Sequence, residues 1–221
     1  MATNTRERQG VPYFLLNKLS TVDIVYDETK RKKIKKTKIV GIFEAERVIA
    51  RRKVNKEVKY LVKWKDYSSF ESTWEPEHHI SRASLRYFEN PKPHTNDVIE
   101  CVDRLRKEVV ASLKHRWPEQ KLTVEFRHDV YNYLFGGKGK AAEQKSWTLF
   151  EEQDFVNCGL PNNWNCRYDK HGDGVKMLFP VKMRKFLGRS AKCFVKEGES
   201  IVEAPRAYTE KISINFIKVA S

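Results

Sequence analysis

The second fifth of the chain alternates apolar and polar side chains in short blocks. In the block KYLVKWK, Tyr60, Val62 and Trp64 alternate with the other side chains, which predicts a β-strand with one buried face. A polar turn at residues 53–57 precedes this strand, and residues 81–89 carry apolar side chains at near-helical spacing. The pattern therefore predicts a three-stranded, curved antiparallel sheet followed by one helix.

A different pattern begins after a proline-containing linker at residues 93–96. Asp97 and Glu100 form a predicted capping box that opens a helix. Apolar residues then follow at the spacing of one helical face: Val98, Val102, Leu105, Val109 and Leu113. Further strand candidates occur at residues 176–179 and 212–219, so the pattern predicts a second domain that contains both helix and strand.

The predicted fold class is therefore α+β throughout. We expect an N-terminal arm, a first sheet-and-helix domain, a linker and a second α+β domain, at residues 1–40, 41–92, 93–96 and 97–221 respectively.

The chain is strongly basic, with a formal charge of +14 and a pI near 9.6, which favours phosphate polymers, anionic membranes or acidic protein surfaces as partners. Part of this charge lies in the run KRKKIKKTK, which is typical of nuclear import signals and nucleic-acid contacts, although a solvated linker has the same composition. The candidate contact residues in this run are all basic: Lys30, Arg31, Lys32, Lys33, Lys35, Lys36 and Lys38.

Metal and cofactor sites are not indicated by the sequence. Its four cysteines include no C-x-x-C pair, so we expect reduced thiols rather than a zinc ribbon or a disulfide framework. The adjacent His78 and His79 would point to opposite faces of an extended segment and so would not share an ion. No signal-like start or apolar stretch of membrane-spanning length occurs, and we expect an intracellular protein without a membrane span.

Three aromatic residues occupy positions from which they could surround a cation. Phe43 stands at the entry to the first predicted strand, Trp64 at the end of the second and Tyr67 in the turn after it. Each ring face attracts a quaternary ammonium by about 0.5 to 2 kcal/mol when the contact is desolvated. An unmethylated ammonium would lose its hydration without finding acceptors there, so such a cage selects for methylation.

These residues belong to a longer pattern, FEAERVIARR followed by VKYLVKWKDYSSFESTWEPEHHI, that closely resembles the chromodomain family. The resemblance covers residues 42–90 and includes the W-K-x-Y turn, the T-W-E-P signature and the following helix. It implies that Phe43, Trp64 and Tyr67 form a methyl-lysine cage at the edge of the fold, whereas Trp74 belongs to the core.

The resemblance also implies how a peptide would bind. A histone tail would add as a β-strand between residues 41–46 and residues 77–81, so that backbone hydrogen bonds give affinity and alternate side chains give selection. Residues expected to contact the peptide or to flank the cage are Ile42, Ala45, Glu71, His79 and Ser81. Among them, Ala45 would enclose the peptide alanine and Glu71 would favour the caged cation.

The resemblance does not decide which of two methylated lysines of histone three would be recognised. Phe43, Glu46 and Glu71 are most similar to the chromodomain-Y and M-phase phosphoprotein types, which read methylated lysine nine. Ile42 and Ala45 are similar to the Polycomb type, which reads lysine twenty-seven. We expect lysine nine to be preferred.

The predicted function is that of a nuclear, non-enzymatic chromatin reader in heterochromatin organisation or gene silencing. It would bind a methylated histone three tail through the cage, nucleosomal DNA or RNA through the basic run, and an unknown protein partner through its C-terminal region. The alternative is a chromodomain-targeted enzyme, or a protein derived from a mobile element, whose C-terminal region is catalytic or binds DNA. No cofactor loop, nucleophile motif or metal-ligand set after Asn90 supports catalysis.

Overall fold

A computed structural model describes residues 43–192, 194–197, 200–203 and 206–220. The chain divides into two compact units, residues 1–86 and residues 87–221. The N-terminal arm with its basic run and Ile42 lie outside the described residues, and the expected linker at 93–96 stays a prediction.

The first unit is built on a three-stranded antiparallel sheet in the order β1-β2-β3. Its elements are β1 (Ala45–Val54), β2 (Glu57–Trp64), β3 (Thr73–Pro76), two short 3-10 helices (Ser69–Glu71 and Glu77–His79) and the start of α1 (Arg82–Glu89), which continues past residue 86. The predicted sheet followed by a helix is thus confirmed. Asn55 and Lys56 both have positive φ, at 49° and 69°, as a two-residue turn between twisted strands requires.

Strand β2 is the centre of this sheet and is more buried than its sequence pattern predicted. Tyr60, Leu61 and Val62 are all at most 5% exposed, so both faces are covered at mid-strand. The prediction that only one face of this strand is buried is therefore wrong at these three residues. Strand β1 pairs with β2 through two register shifts, which bend the strand and curve the sheet.

The second unit opens with α2 (Thr95–Ser112), which starts two residues before the predicted capping box. The His94 side chain accepts the backbone N–H of Asn96 at 3.2 Å and caps this helix in place of Asp97. Val102, Leu105 and Val109 are buried as the helical spacing predicted.

Most of the second unit is a sheet in the order β4-β11-β8-β6-β5, with β7 paired to β8. Its elements in chain order are β4 (Glu119–Glu125), α3 (His128–Phe135), β5 (Lys140–Ala141), β6 (Thr148–Phe150), a 3-10 helix (Glu152–Phe155), β7 (Cys166–Tyr168), β8 (Gly174–Arg189) and β11 (Tyr208–Ala220). A separate hairpin, β9 (Phe194–Glu197) and β10 (Ser200–Glu203), lies between β8 and β11 in sequence. The predicted α+β second domain is confirmed.

One face of this sheet packs with α2 and α3 to form the core of the second unit. Strand β4 alternates strictly, so that Gln120, Leu122 and Val124 face inward, and every second residue of β11 from Glu210 to Phe216 is buried with them. The opposite face of the same strands is therefore the outward one.

A charged network lies at the start of α3. Arg127 donates to Asp129 through Nε at 3.1 Å and through Nη2 at 2.6 Å, and its Nη1 contacts Asp97 at 2.6 Å. Asp129 is only 6% exposed, so the paired guanidinium offsets the cost of burying its charge. The His128 N–H donates to Glu210 at 2.6 Å, which ties α3 to β11.

The described cysteines Cys101, Cys158 and Cys166 are free, and burial raises the pKa of the first two thiols. Within the described ranges, no set of three or more His, Cys, Asp or Glu side chains is arranged to hold a metal ion. No described helix has the length and apolarity needed to cross a bilayer.

Candidate functional site

Three aromatic rings meet at one end of the small sheet. The ring centroid of Phe43 lies 6.2 Å from that of Trp64 and 5.6 Å from that of Tyr67, with interplanar angles of 62° and 72°. Phe43 and Tyr67 are each 39% exposed, whereas Trp64 is 9% exposed. The structure therefore brings the three predicted cage residues together as two open rings beside a buried one.

The turn after β2 positions Tyr67. Asp66 adopts positive φ at 63°, and the Tyr67 N–H returns to the Trp64 carbonyl at 3.4 Å. The Lys63 ammonium donates to the carbonyls of Trp64, at 3.0 Å, and Tyr67, at 2.5 Å, so one side chain ties both ends of the turn. This lysine was not singled out in the sequence, although it immediately precedes Trp64.

Phe43 is held against the turn through its neighbour Glu44. The Lys65 N–H donates to the Glu44 carbonyl at 2.9 Å, and the Lys65 ammonium contacts the Glu44 carboxylate at 2.9 Å. This ion pair raises the pKa of Lys65. The nearby Glu46 carboxylate lies 3.2 Å from the Lys63 ammonium. Both glutamates are therefore paired with lysines.

A chain of hydrogen bonds fixes the plane of the Trp64 indole. Its Nε1 donates to the Thr73 hydroxyl at 3.0 Å, and that hydroxyl donates to the Glu75 carboxylate at 2.5 Å. The other oxygen of this carboxylate lies 3.0 Å from Nδ1 of His79. Sequence reasoning missed Thr73 and Glu75, although they alternate with Trp74 in T-W-E-P and so share one face of β3.

The two tryptophans differ in burial from the sequence-based expectation. Trp64 was expected to line the site rather than the core, yet it is almost fully buried. Trp74 was expected in the core but is only half-buried, and the Arg52 guanidinium lies 3.9 Å above its ring. Trp64 therefore serves as core and as a wall of the ring cluster, because it ends the central strand.

The other predicted peptide-contacting residues have separate local partners. Ala45 lies directly opposite Trp64 in the β1–β2 register. Glu71 accepts the Ser68 N–H at 2.9 Å, and the Ser81 hydroxyl accepts the Ser84 N–H at 3.1 Å at the start of α1. Glu71 and Ser81 therefore cap the first turns of helices, whereas Ala45 stands opposite a cage residue.

The histidine pair does not adopt the extended geometry assumed from the sequence. His78 and His79 end a 3-10 turn, and their ring centroids are 4.5 Å apart at 81°. The expectation that they face opposite sides is therefore wrong, because the turn rotates successive side chains by less than a strand does.

Comparison with known proteins identifies similarity in the region that contains the small sheet and α1. Residues 43–90 match the family model of the Chromo (CHRromatin Organisation MOdifier) domain. A stretch of 41 residues is 54% identical to Chromodomain Y-like protein 2 of Mus musculus and equally to the protein of that name from Homo sapiens. The stretch covers 18% of this chain and 8% of each relative. With the sheet, the helix and the T-W-E-P signature, this match identifies residues 43–90 as a chromodomain.

Proposed function

We propose that the chain is a nuclear chromatin reader that binds methylated lysine of the histone three tail, with lysine nine preferred, in heterochromatin organisation or gene silencing. The observation that carries the proposal is the cluster of Phe43, Trp64 and Tyr67. Phe43 and Tyr67 are each 39% exposed at one end of a chromodomain sheet. Aromatic rings left open to solvent in this way offer their faces to a ligand.

The electrostatics of the cluster favour a methylated ammonium over an unmethylated one. The carboxylates of Glu44 and Glu46, which closely follow Phe43 in the sequence, already pair with lysines, so neither is a strong free acceptor for an N–H donor. A trimethylated ammonium has no N–H to satisfy and is attracted by the ring faces. Selection then rests on rings rather than on hydrogen bonds.

The peptide would lie as an added strand along the edge strand β1. Ala45 stands opposite Trp64, so a small peptide residue two positions before the caged lysine would pass beside it. Lysines nine and twenty-seven both follow Ala-Arg, so the cage and Ala45 meet nearly the same residues in either tail. We expect a modest preference for lysine nine, about tenfold, at micromolar affinity.

Calorimetric titration of the full chain with histone three peptides tests the proposal. Peptides trimethylated at lysine nine or lysine twenty-seven and their unmethylated counterparts should separate cage binding from general charge attraction. Phe43→Leu, which keeps an apolar side chain but removes the ring, and Tyr67→Ala should each weaken binding by about 0.5 to 2 kcal/mol.

Phe70→Ala provides a matched control, because Phe70 is 51% exposed in the neighbouring 3-10 helix and does not belong to the ring cluster. Unchanged affinity in Tyr67→Ala would contradict the cage. Tighter binding of the lysine twenty-seven peptide would contradict the preferred mark alone.

We further propose that the chain acts by binding and not by catalysis. The second unit would then be a platform for a further partner, and the basic run at residues 30–38 would support nuclear import or contact nucleosomal DNA. Turnover of a methyl donor or of an acylated histone peptide by the purified chain would contradict this part of the proposal.

A further inference from the structure

The outward face of the large sheet in the second unit carries an ordered row of side chains. Strand pairing aligns five residues across all five strands of the path: Lys121, Asn215, Lys182, Leu149 and Lys140. At about 4.8 Å per strand, the row is about 19 Å long. Paired residues project from the same face of a sheet, so these side chains lie side by side.

The row is part of a wider basic surface, which we call the basic sheet face. Its cations on the paired strands are Lys121, Lys140, Lys176, Lys182, Arg184 and Lys211. Its carboxylates, Glu119 and Glu125, both stand on the edge strand β4, and Glu125 lies 3.8 Å from Arg104. The central strand β8 contributes three basic residues to this face, Lys176, Lys182 and Arg184, and contains no acidic residue. The middle of the face is therefore strongly positive.

An aromatic stack stands at the centre of this face. The Arg184 guanidinium carbon lies 4.8 Å from the Trp147 ring centroid and 5.4 Å from that of Phe186. Trp147 and Phe186 are both half-buried, so each residue retains some exposed surface. A planar cation flanked by two rings offers π-faces as well as charge.

Polar groups without partners lie next to this stack. Nε of Arg184 and Oδ1 of Asn215 are buried and have no hydrogen-bond partner among the described residues. Ser213 pairs with Arg184 across the strands and adds a hydroxyl to the same region. Unsatisfied buried donors and acceptors are rare in native proteins, because each costs about 1 to 3 kcal/mol. Here a donor and an acceptor occur together on an outward face.

We propose that the basic sheet face binds single-stranded nucleic acid. Lysines spread across the row would contact phosphates, and the stack of Trp147, Arg184 and Phe186 would receive unpaired bases. This inference concerns the second unit and does not depend on the methyl-lysine binding proposed for the first unit.

Other occupants fit the face less well. A duplex buries its base faces, and its major groove admits a helix or a two-stranded ribbon rather than a five-stranded sheet. An acidic peptide would use the lysines but would leave the ring faces without a stacked partner. The N-terminal basic run of the chain itself has the same charge sign as the face, so it would be repelled.

Fluorescence anisotropy with the full chain tests the proposal. The probes are labelled oligo(U) and oligo(dT) of about 12 nucleotides, a duplex of equal length and a polyglutamate peptide. The double variant Lys121→Gln/Lys182→Gln should weaken binding to the single strands. It should also flatten the slope of log affinity against log salt by about 1.4, at about 0.7 per lost phosphate contact. Phe186→Leu should weaken binding about tenfold without changing that slope.

The matched control is Lys107→Gln/Lys114→Gln, which removes the same charge from exposed positions on and just after α2. It should change neither affinity nor slope, and far-ultraviolet circular dichroism should show all variants folded. A preference for oligo(U) or oligo(dT) identifies RNA or DNA as the natural strand, and either supports the proposal.

Three outcomes would overturn the proposal. The first is equal loss of affinity in the control pair, and the second is tighter binding of the duplex or of polyglutamate. The third is binding that disappears when Lys32, Lys33, Lys35 and Lys36 are changed to Gln but persists in both face variants, because the arm would then be the nucleic-acid contact.

Discussion

Aromatic clusters in the two units have nearly the same internal geometry but opposite relations to solvent. Phe43 and Tyr67 in the first unit meet at 5.6 Å and 72°, and Phe135 and Phe155 in the second meet at 5.4 Å and 65°. The first pair is 39% exposed at each ring, whereas Phe135 and Phe155 are 2% and 5% exposed. Ring geometry alone therefore does not distinguish a candidate cage from a core, whereas the solvent exposure of the aromatic residues does.

The substitution expected to have the largest effect on stability lies in the buried aromatic cluster of the second unit. Phe155 packs against Phe135, Phe150 and Trp164, so Phe155→Ala should destabilise that unit by about 3 to 5 kcal/mol. Methyl-lysine peptide affinity should not change. Denaturant unfolding followed by circular dichroism measures the first quantity and calorimetry the second. Tyr133→Ala, at a ring that is 56% exposed, is the control and should cost under about 0.5 kcal/mol.

Trp64 should show both kinds of effect, because it is buried and also contacts the open rings. Trp64→Ala should lower the stability of the first unit by about 3 kcal/mol and abolish peptide binding, whereas Tyr67→Ala should affect binding alone. Thermal unfolding and peptide titration of both variants measure this difference. If Trp64→Ala has the same midpoint of thermal unfolding as the parent protein, Trp64 does not contribute to the core.

Loss of the hydrogen bond between the Trp64 indole and the Thr73 hydroxyl should have a smaller effect on stability and binding. Thr73→Val preserves side-chain shape but removes the hydroxyl that accepts from the Trp64 indole. The unpaired indole N–H should cost about 1 kcal/mol of stability and weaken peptide binding a few-fold. Thr73→Ser, which keeps the hydroxyl, should restore both. Failure of Ser to restore binding would show that the methyl group rather than the hydrogen bond matters.

The smallest effect is a pH dependence confined to the second unit. Burial lowers the pKa of His128, although the Glu210 carboxylate opposes this, and Nε2 lies 3.2 Å from the Lys211 carbonyl. Below about pH 6.5 His128 is protonated in the unfolded chain, whereas its lowered pKa keeps it neutral to lower pH in the folded state. The free energy of unfolding should therefore fall as pH decreases. The slope is at most about 1.4 kcal/mol per pH unit.

Unfolding midpoints between pH 7.5 and about pH 5 measure this slope. His128→Gln should reduce it, whereas His171→Gln, at an exposed turn residue, should leave it unchanged. An unaltered slope in His128→Gln would assign the pH dependence to other groups.

Much of the first unit could be predicted from its sequence. The turn at Asn55 and Lys56, the strand containing Trp64 and the helix after Ser81 all follow from local patterns with short contact range. The proximity of Phe43 to Tyr67 followed from resemblance to a family, since 24 positions separate them and no periodicity links them. Capping by His94 was missed, because Asp97 and Glu100 match the usual capping pattern better.

The α+β class, the basic character and the three aromatic positions could all be predicted from the sequence, because strand alternation, charge and family motif are local or cumulative properties of the chain. The burial of Trp64 and the exposure of Phe43 and Tyr67 became evident from the folded structure. The fold also aligned Lys121, Lys182 and Lys140 on one face. Both outcomes depend on which strand lies between which neighbours, and that pairing is set by contacts between residues far apart in the chain.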